Sequence, residues 1–123
     1  MTVERQDLGK TGEETAVAAL EQRGYAVIAC RYRTRYGEID IIARDGETTV
    51  FVEVKARVTD ECGTAAEAVG PSKQRRLVRM AVDYLARNNL IDRPCRFDVV
   101  AIDRAGSPFE RVTLYQNAFE SYL

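Results

Sequence analysis

The chain has no histidine and only three cysteines in 123 residues. Without histidine there is no Ser-His or Cys-His nucleophile pair, no imidazole general base and no imidazole metal ligand. Cys30, Cys62 and Cys95 are odd in number, far apart and form no C-x-x-C. A disulfide framework or zinc site is therefore not expected; small, reduced, partly buried residues are. No apolar run is long enough to span a bilayer. The first residues are polar and acidic, without the basic and apolar regions of a secretion signal. The expectation is a soluble cytoplasmic protein with no membrane partner. The net charge is −1, so the overall balance gives no electrostatic pull towards nucleic acid.

What remains is globular: 46% apolar and 30% charged residues, enough for one modest core in a single domain over residues 1–123. Asp7 to Arg23 reads as a helix, with Leu8, Ala16, Ala19 and Leu20 near helical spacing and Gly24 as its stop. Tyr25 to Arg33, Glu38 to Arg44 and Thr48 to Arg57 read as strands, the first two joined by a turn at Thr34 to Gly37. Val58 to Gly63 reads as a loop and Ala65 to Val69 as a short helical turn. Pro71-Ser72 opens a helix to about Asn89, striped by Leu77, Ala81, Tyr84 and Leu85. Cys95 to Asp103 and Arg111 to Tyr115 read as the last strands, separated by a turn at Ala105 to Pro108. The order α-β-β-β-α-β-β predicts an α/β fold, a mixed sheet flanked by helices.

Charge on the apolar strands is the feature that points to chemistry. Asp40 lies within Gly37-Glu-Ile-Asp-Ile-Ile42, and Glu53 and Lys55 within Phe51-Val-Glu-Val-Lys55. A buried ion needs a partner, a metal or an open cleft. Asp45-Gly46 is a hairpin signal. A two-residue loop there pairs Arg44 with Glu47, sets Asp40 opposite Phe51 and diagonal to Glu53, and leaves Asp40, Glu53 and Lys55 on one face. Such carboxylates make a hard oxygen site suited to Mg²⁺, Mn²⁺ or Ca²⁺. Against this stands a plain Asp/Glu–Lys cluster on an exposed sheet face; the flanking Ile and Val residues, which mark the other face as core, make the two readings about equal.

Arg31, Arg33 and Arg35 alternate onto one face, and a second basic run holds Lys73, Arg75, Arg76 and Arg79. Arg33 and Arg57 flank the acidic strands and read as phosphate-backbone contacts, with Tyr32 or Tyr36 able to stack on bases. Arg75 and Arg87 read as solvated helix charge. Glu13 reads either as helix electrostatics or as a further acid reaching the sheet. Asp98 reads as an edge-of-site acid or as the partner of Arg96.

Gly37-Glu-Ile-Asp-Ile-Ile-Ala43, Val50-Phe-Val-Glu-Val-Lys-Ala-Arg57, Gly12-Glu13 and Arg96-Phe-Asp-Val-Val100 together resemble the YraN family of uncharacterised bacterial proteins. Ala65 to Val69, Lys73, Tyr84-Leu85 and Ala118-Phe119 extend the resemblance over nearly the whole chain. It implies a restriction-endonuclease-like fold, related to Holliday-junction resolvases and the PD-(D/E)XK nucleases. On that footing Asp40, Glu53 and Lys55 take the catalytic motif's places. Glu13 joins Asp40 and Glu53 as an acid of the Mg²⁺ or Mn²⁺ site, and Lys73 and Gln74 fall where the following helix contributes polar residues. One departure stands out: that family's pattern has Asn where this chain has Arg31.

The expected function is metal-dependent hydrolysis of DNA, branched DNA included, with Arg33, Arg57, Lys73 and Gln74 along the nucleic acid. Symmetric cleavage of a junction would need a homodimer. The alternatives are a nucleic-acid-binding module without turnover and a protein-interaction domain on a nuclease scaffold.

Overall fold

The computed structural model describes residues 2–59 and 69–119, with side chains from residue 12 onwards. Seven elements follow in the expected order: α1 (Thr2–Gln22), β1 (Ala26–Thr34), β2 (Gly37–Asp45), β3 (Thr48–Ala56), α2 (Pro71–Arg87), β4 (Cys95–Asp103) and β5 (Arg111–Tyr115). The turn expected at Ala65 to Val69 falls on residues 65–68, outside the described residues; Cys62 lies outside them too. The strands form one sheet in chain order. β1, β2 and β3 are an antiparallel meander, α2 carries the chain across to β4 parallel to β3, and β5 returns antiparallel. Among the described residues no helix is long and apolar enough to cross a membrane.

The helices cover opposite faces. Ala16 and Leu20 of α1 pack on Ile41, Ala43, Val50, Val52, Val100 and Ile102. Leu77, Met80, Ala81, Tyr84 and Leu85 of α2 pack on Ile42, Phe51, Phe97 and Val99. Each fully buried Leu of these stripes contributes about 1.5–3 kcal/mol. β3 is central and covered on both sides, which is why its apolar run is continuous rather than alternating. The exposed face that would have made Glu53 an ordinary surface acid does not exist. Both helices end in the same way. Gly24 (φ +89°) and Asn89 (φ +57°) take the left-handed conformation, and the next residues, Tyr25 and Leu90, donate back to the carbonyls of Leu20 and Leu85. Asn89 thus stops α2 two residues earlier than the sequence suggests. Cys30 is exposed rather than partly buried, and neither it nor Cys95 is in a disulfide.

The hairpin register differs from the expected one by two residues. Asp45 pairs with Thr48, Arg44 with Thr49 and Ile42 with Phe51. Only Gly46 has a positive φ, +62°, so the two-residue loop is Gly46-Glu47 with glycine first, as a type II′ turn requires. A shift of two preserves the face of every side chain. Carried one residue past Ile41–Val52, the register sets Asp40 directly against Glu53.

Alternation does break elsewhere. Ile39 packs on the α2 side and Ile41 on the α1 side, so the faces exchange across Asp40. On β1, Ala29 and Tyr32 both pack on the α2 side although three residues apart. Between them Arg31 has φ +52°, and the pairs Cys30–Ile41 and Tyr32–Ile39 place it opposite Asp40. Among residues with a side chain, Asn is one of the few that tolerate this conformation. Arg31→Asn is expected to be more stable than Arg31→Val by about 1–2 kcal/mol, both lacking the Arg31 charge, as measured by urea unfolding. Equal stabilities would show that the left-handed residue carries no strain.

Candidate active site

Asp40 sits where β2 turns away from β3. Its Oδ2 accepts the Val54 N–H at 2.8 Å, taking over a backbone donor that the strand ladder no longer satisfies. Burial first, and then the charge of Glu53, push Asp40 up to about 6; the Val54 N–H and Lys73 oppose the shift and Glu13 adds to it. Glu53 is only 5% exposed. Its Oε1 is closed on the Nζ of Lys73 from the first turn of α2. Lys55 follows two residues later on the same face of β3, half-buried, its position pinned by pairing with Ala101 of β4. No ion pair closes on Lys55 among the described residues.

Glu13 reaches this neighbourhood because Gly12 lets α1 lie against the end of β3: a Cβ at Gly12 would stand 3.1 Å from the Ala56 Cβ. Its carboxylate is held by Arg31, whose Nε lies 2.6 Å from Glu13 Oε2. Among the described residues no three carboxylates or cysteines converge into a ready-made cation cage. The structure therefore brings Asp40, Glu53 and Lys73 together, sets Lys55 on the same face of β3, and leaves Glu13 one ion pair away. The donor set fits Mg²⁺ or Mn²⁺ nonetheless. Such an ion commonly takes one or two protein carboxylates, keeps waters and draws its other oxygens from phosphate. Burial and then the charge of Glu53 raise Asp40, and a bound cation would offset both.

The residues read as nucleic-acid contacts occupy varied places. Arg33 is 81% exposed, with Glu38 at 3.7 Å. Arg57 is anchored, its Nε and Nη2 on Asp103 Oδ1 at 3.0 and 2.9 Å. Gln74 donates to the Val69 carbonyl at 2.8 Å and holds the start of α2. Lys73 is the counter-ion of Glu53, a role the sequence reading missed. A signal for it existed: α2 has no acid in its first turn and carries a lysine there, against the helix dipole. Tyr32 is not a stacking platform, because its ring packs edge-on to Tyr84 at 5.3 Å.

Asp98 belongs to a separate network. It accepts from Tyr25 Oη at 3.1 Å, Arg96 Nε at 3.1 Å and the Asn117 N–H at 2.9 Å. Arg96 also reaches Asp45 at 2.9 Å. This is the Arg96 partnership rather than an edge-of-site acid.

Residues 12–102, from Glu13 and its glycine to the end of β4, match the profile of the uncharacterised protein family UPF0102. The chain belongs to that family. A UPF0102 protein of Syntrophus aciditrophicus is 48% identical over 112 residues, 91% of this chain and 87% of that protein. One of Symbiobacterium thermophilum is 48% identical over 114 residues, covering 93% and 97%. One of Geotalea uraniireducens is 44% identical over 117 residues, covering 95% and 92%. The resemblance to the YraN family read from the sequence is thus a resemblance to UPF0102, and the matched span holds every site residue named above.

Asp40 gives the site a measurable signature. A carboxyl raised to about 6 binds its proton more tightly folded than unfolded, where the ordinary value is near 3.9. Metal-free stability should therefore fall as pH rises from about 4 to 6 and then level, with a total loss on the order of 3 kcal/mol. Asp40→Asn keeps an acceptor for Val54 N–H and removes the charge. It is expected to raise the metal-free melting temperature at pH 7.5 by roughly 5–10 °C. An unchanged or lower melting temperature would show that Asp40 is not held against its charge.

Proposed function

We propose that this UPF0102 protein is a Mg²⁺- or Mn²⁺-dependent nuclease that hydrolyses phosphodiester bonds of DNA, branched DNA included. The observation that carries the reading is half-buried Asp40 set against buried Glu53 on adjacent strands, with Lys55 two residues on along the central strand. Asp40 and Glu53 would hold the cation, with Glu13 joining only on leaving Arg31. The ion, when bound, supplies Lewis-acid polarisation of the phosphoryl oxygen and a more acidic water. Lys55 orients the attacking water and offsets charge developing on phosphorus oxygens. Water oxygen bonds to phosphorus as the bond to the leaving deoxyribose oxygen breaks; the attacking water gives up a proton to solvent and the departing oxygen takes one from solvent. Lys73 holds the Glu53 carboxylate in place until the substrate and cation arrive.

One observation favours a nucleic-acid-binding module without turnover: both Glu13 and Glu53 are already closed on basic side chains. Cleavage assays on linear, flap and four-way-junction DNA, with Mg²⁺ or with EDTA, separate the two readings. The nuclease reading expects metal-dependent products from the wild type and at least about 10²-fold less from Glu53→Gln. Equal activity in both proteins would mark a contaminant and sink it. Salt-sensitive binding with no cleavage would favour the module.

A further inference from the structure

A second basic site lies one to two turns further along α2. Arg75, Arg76 and Arg79 line an open cavity of about 260 Å³ with Tyr36 and Ser72. Arg35 joins them from the β1–β2 turn: its guanidinium carbon is 5.0 Å from the Tyr36 ring centroid, and its Nη2 donates to Tyr36 Oη at 2.9 Å. Arg79 lies 5.9 Å from the same centroid. The turn and the helix are in contact: a Cβ at Gly37 would meet Met80 Sδ at 3.8 Å and Arg76 Cδ at 4.0 Å. The chain has 19 acidic residues against 18 basic ones, so acids are not scarce. Yet among the described residues no ion pair closes on Arg35, Arg75, Arg76 or Arg79, while Arg57, Arg87 and Arg96 all find carboxylates.

Four guanidinium groups held together without an acid repel one another until an anion arrives. Their forked donors match phosphate oxygens bidentately. Tyr36 Oη accepts from Arg35 and keeps its own proton for an anion oxygen, and Ser72 adds a further hydroxyl. The cavity is below the roughly 300–1,000 Å³ of pockets that enclose a small molecule, and it is open, as suits a chain of phosphates passing over it.

We propose that Arg35, Arg75, Arg76 and Arg79, set around Tyr36, form a subsite for backbone phosphates of the nucleic acid. Tyr36 is the positioning residue, its ring steering Arg35 and Arg79. The proposal rests on the nuclease reading for what the strand is doing there. Lys73, which contacts Glu53, precedes Arg76 and Arg79 on the same helix by about 5 and 9 Å of rise. Phosphates of one strand recur every ~3.4 Å along a duplex axis, so a strand running along α2 would put phosphates about one to three steps from the reacting bond in the subsite. Arg75, read from the sequence as solvated helix charge and exposed in the structure, gains a ligand under this proposal.

Fluorescence anisotropy with labelled single-stranded and duplex oligonucleotides, in EDTA and over a salt series, tests this independently of cleavage. Arg75→Ala with Arg79→Ala is expected to weaken binding at least about tenfold at 50 mM salt and to lower the slope of log K against log salt by about 1.5, for two phosphates lost. Arg87→Ala, which removes a guanidinium already paired with Asp83, should bind as the wild type. The replaced side chains are exposed, and helical circular dichroism confirms that each variant folds. Unchanged affinity and slope in the double variant would overturn the proposal. So would a wild type that binds neither oligonucleotide, or one that binds only an acidic peptide through these arginines. Failure of the nuclease reading shows differently, as binding that depends on these arginines with no metal-dependent cleavage.

Discussion

Lys55→Ala is expected to lower metal-dependent cleavage by about 10²–10³-fold while leaving stability within about 0.5 kcal/mol of the wild type. The separation follows from its surroundings. Lys55 is held on the central strand by pairing with Ala101, yet no ion pair closes on it among the described residues. Removing it therefore breaks no ion pair among the described residues but takes away a charge on the face of Glu53. Mn²⁺ affinity should stay the same or tighten, because a neighbouring positive charge is gone. Lys55→Arg is expected to recover only part of the rate, since a planar fork cannot place one donor as an ammonium does. Full activity in Lys55→Ala, measured as single-turnover cleavage, would remove Lys55 from the mechanism.

Asp98→Ala should have the largest effect on stability, a loss of about 3–5 kcal/mol. The Asp98 side chain is fully buried, and Tyr25, Arg96 and the Asn117 N–H all donate to it. Truncation takes from the partly buried Arg96 guanidinium one of its two carboxylates, leaving Asp45, and strands the Asn117 N–H. Gln116 also donates to Tyr25 Oη, at 2.5 Å, so the network ties the start of β1 and the chain after β5 to β4. Replacing Asp98 and Arg96 together by apolar residues of similar size should recover much of the loss. Urea unfolding of the single and double variants measures both. A loss below about 1 kcal/mol for Asp98→Ala would show that the network contributes little. Cleavage by the folded fraction should persist, because the network stands apart from Asp40 and Glu53.

Much of the fold was legible because its signals are local. The bounds of β4 and β5 match the residue pattern, and the α2 stripe of Leu77, Ala81, Tyr84 and Leu85 is buried as expected. The register error was local too: Asp45-Gly46 marks the hairpin, but the positive φ belongs to the first loop residue, Gly46, which moves the loop centre by one. Side-chain parity survived, so the Asp40–Glu53 juxtaposition did as well. The exchange of faces at Arg31 and Asp40 was not legible, because arginine does not advertise a left-handed conformation. The Lys73–Glu53 pair depends on where α2 returns over the sheet, which no local pattern encodes. Glu13 was read either as helix electrostatics or as a further acid reaching the sheet; its capture by Arg31 comes from a residue on β1 that neither reading used.

The account depends most on Asp40 and Glu53 forming a divalent-cation site. Anomalous diffraction from crystals soaked in Mn²⁺ tests this directly. The expected result is a peak about 2.0–2.6 Å from a carboxylate oxygen of each residue, with Lys73 withdrawn from Glu53. A peak more than about 3 Å from every oxygen of both, or none at saturating Mn²⁺, would contradict it.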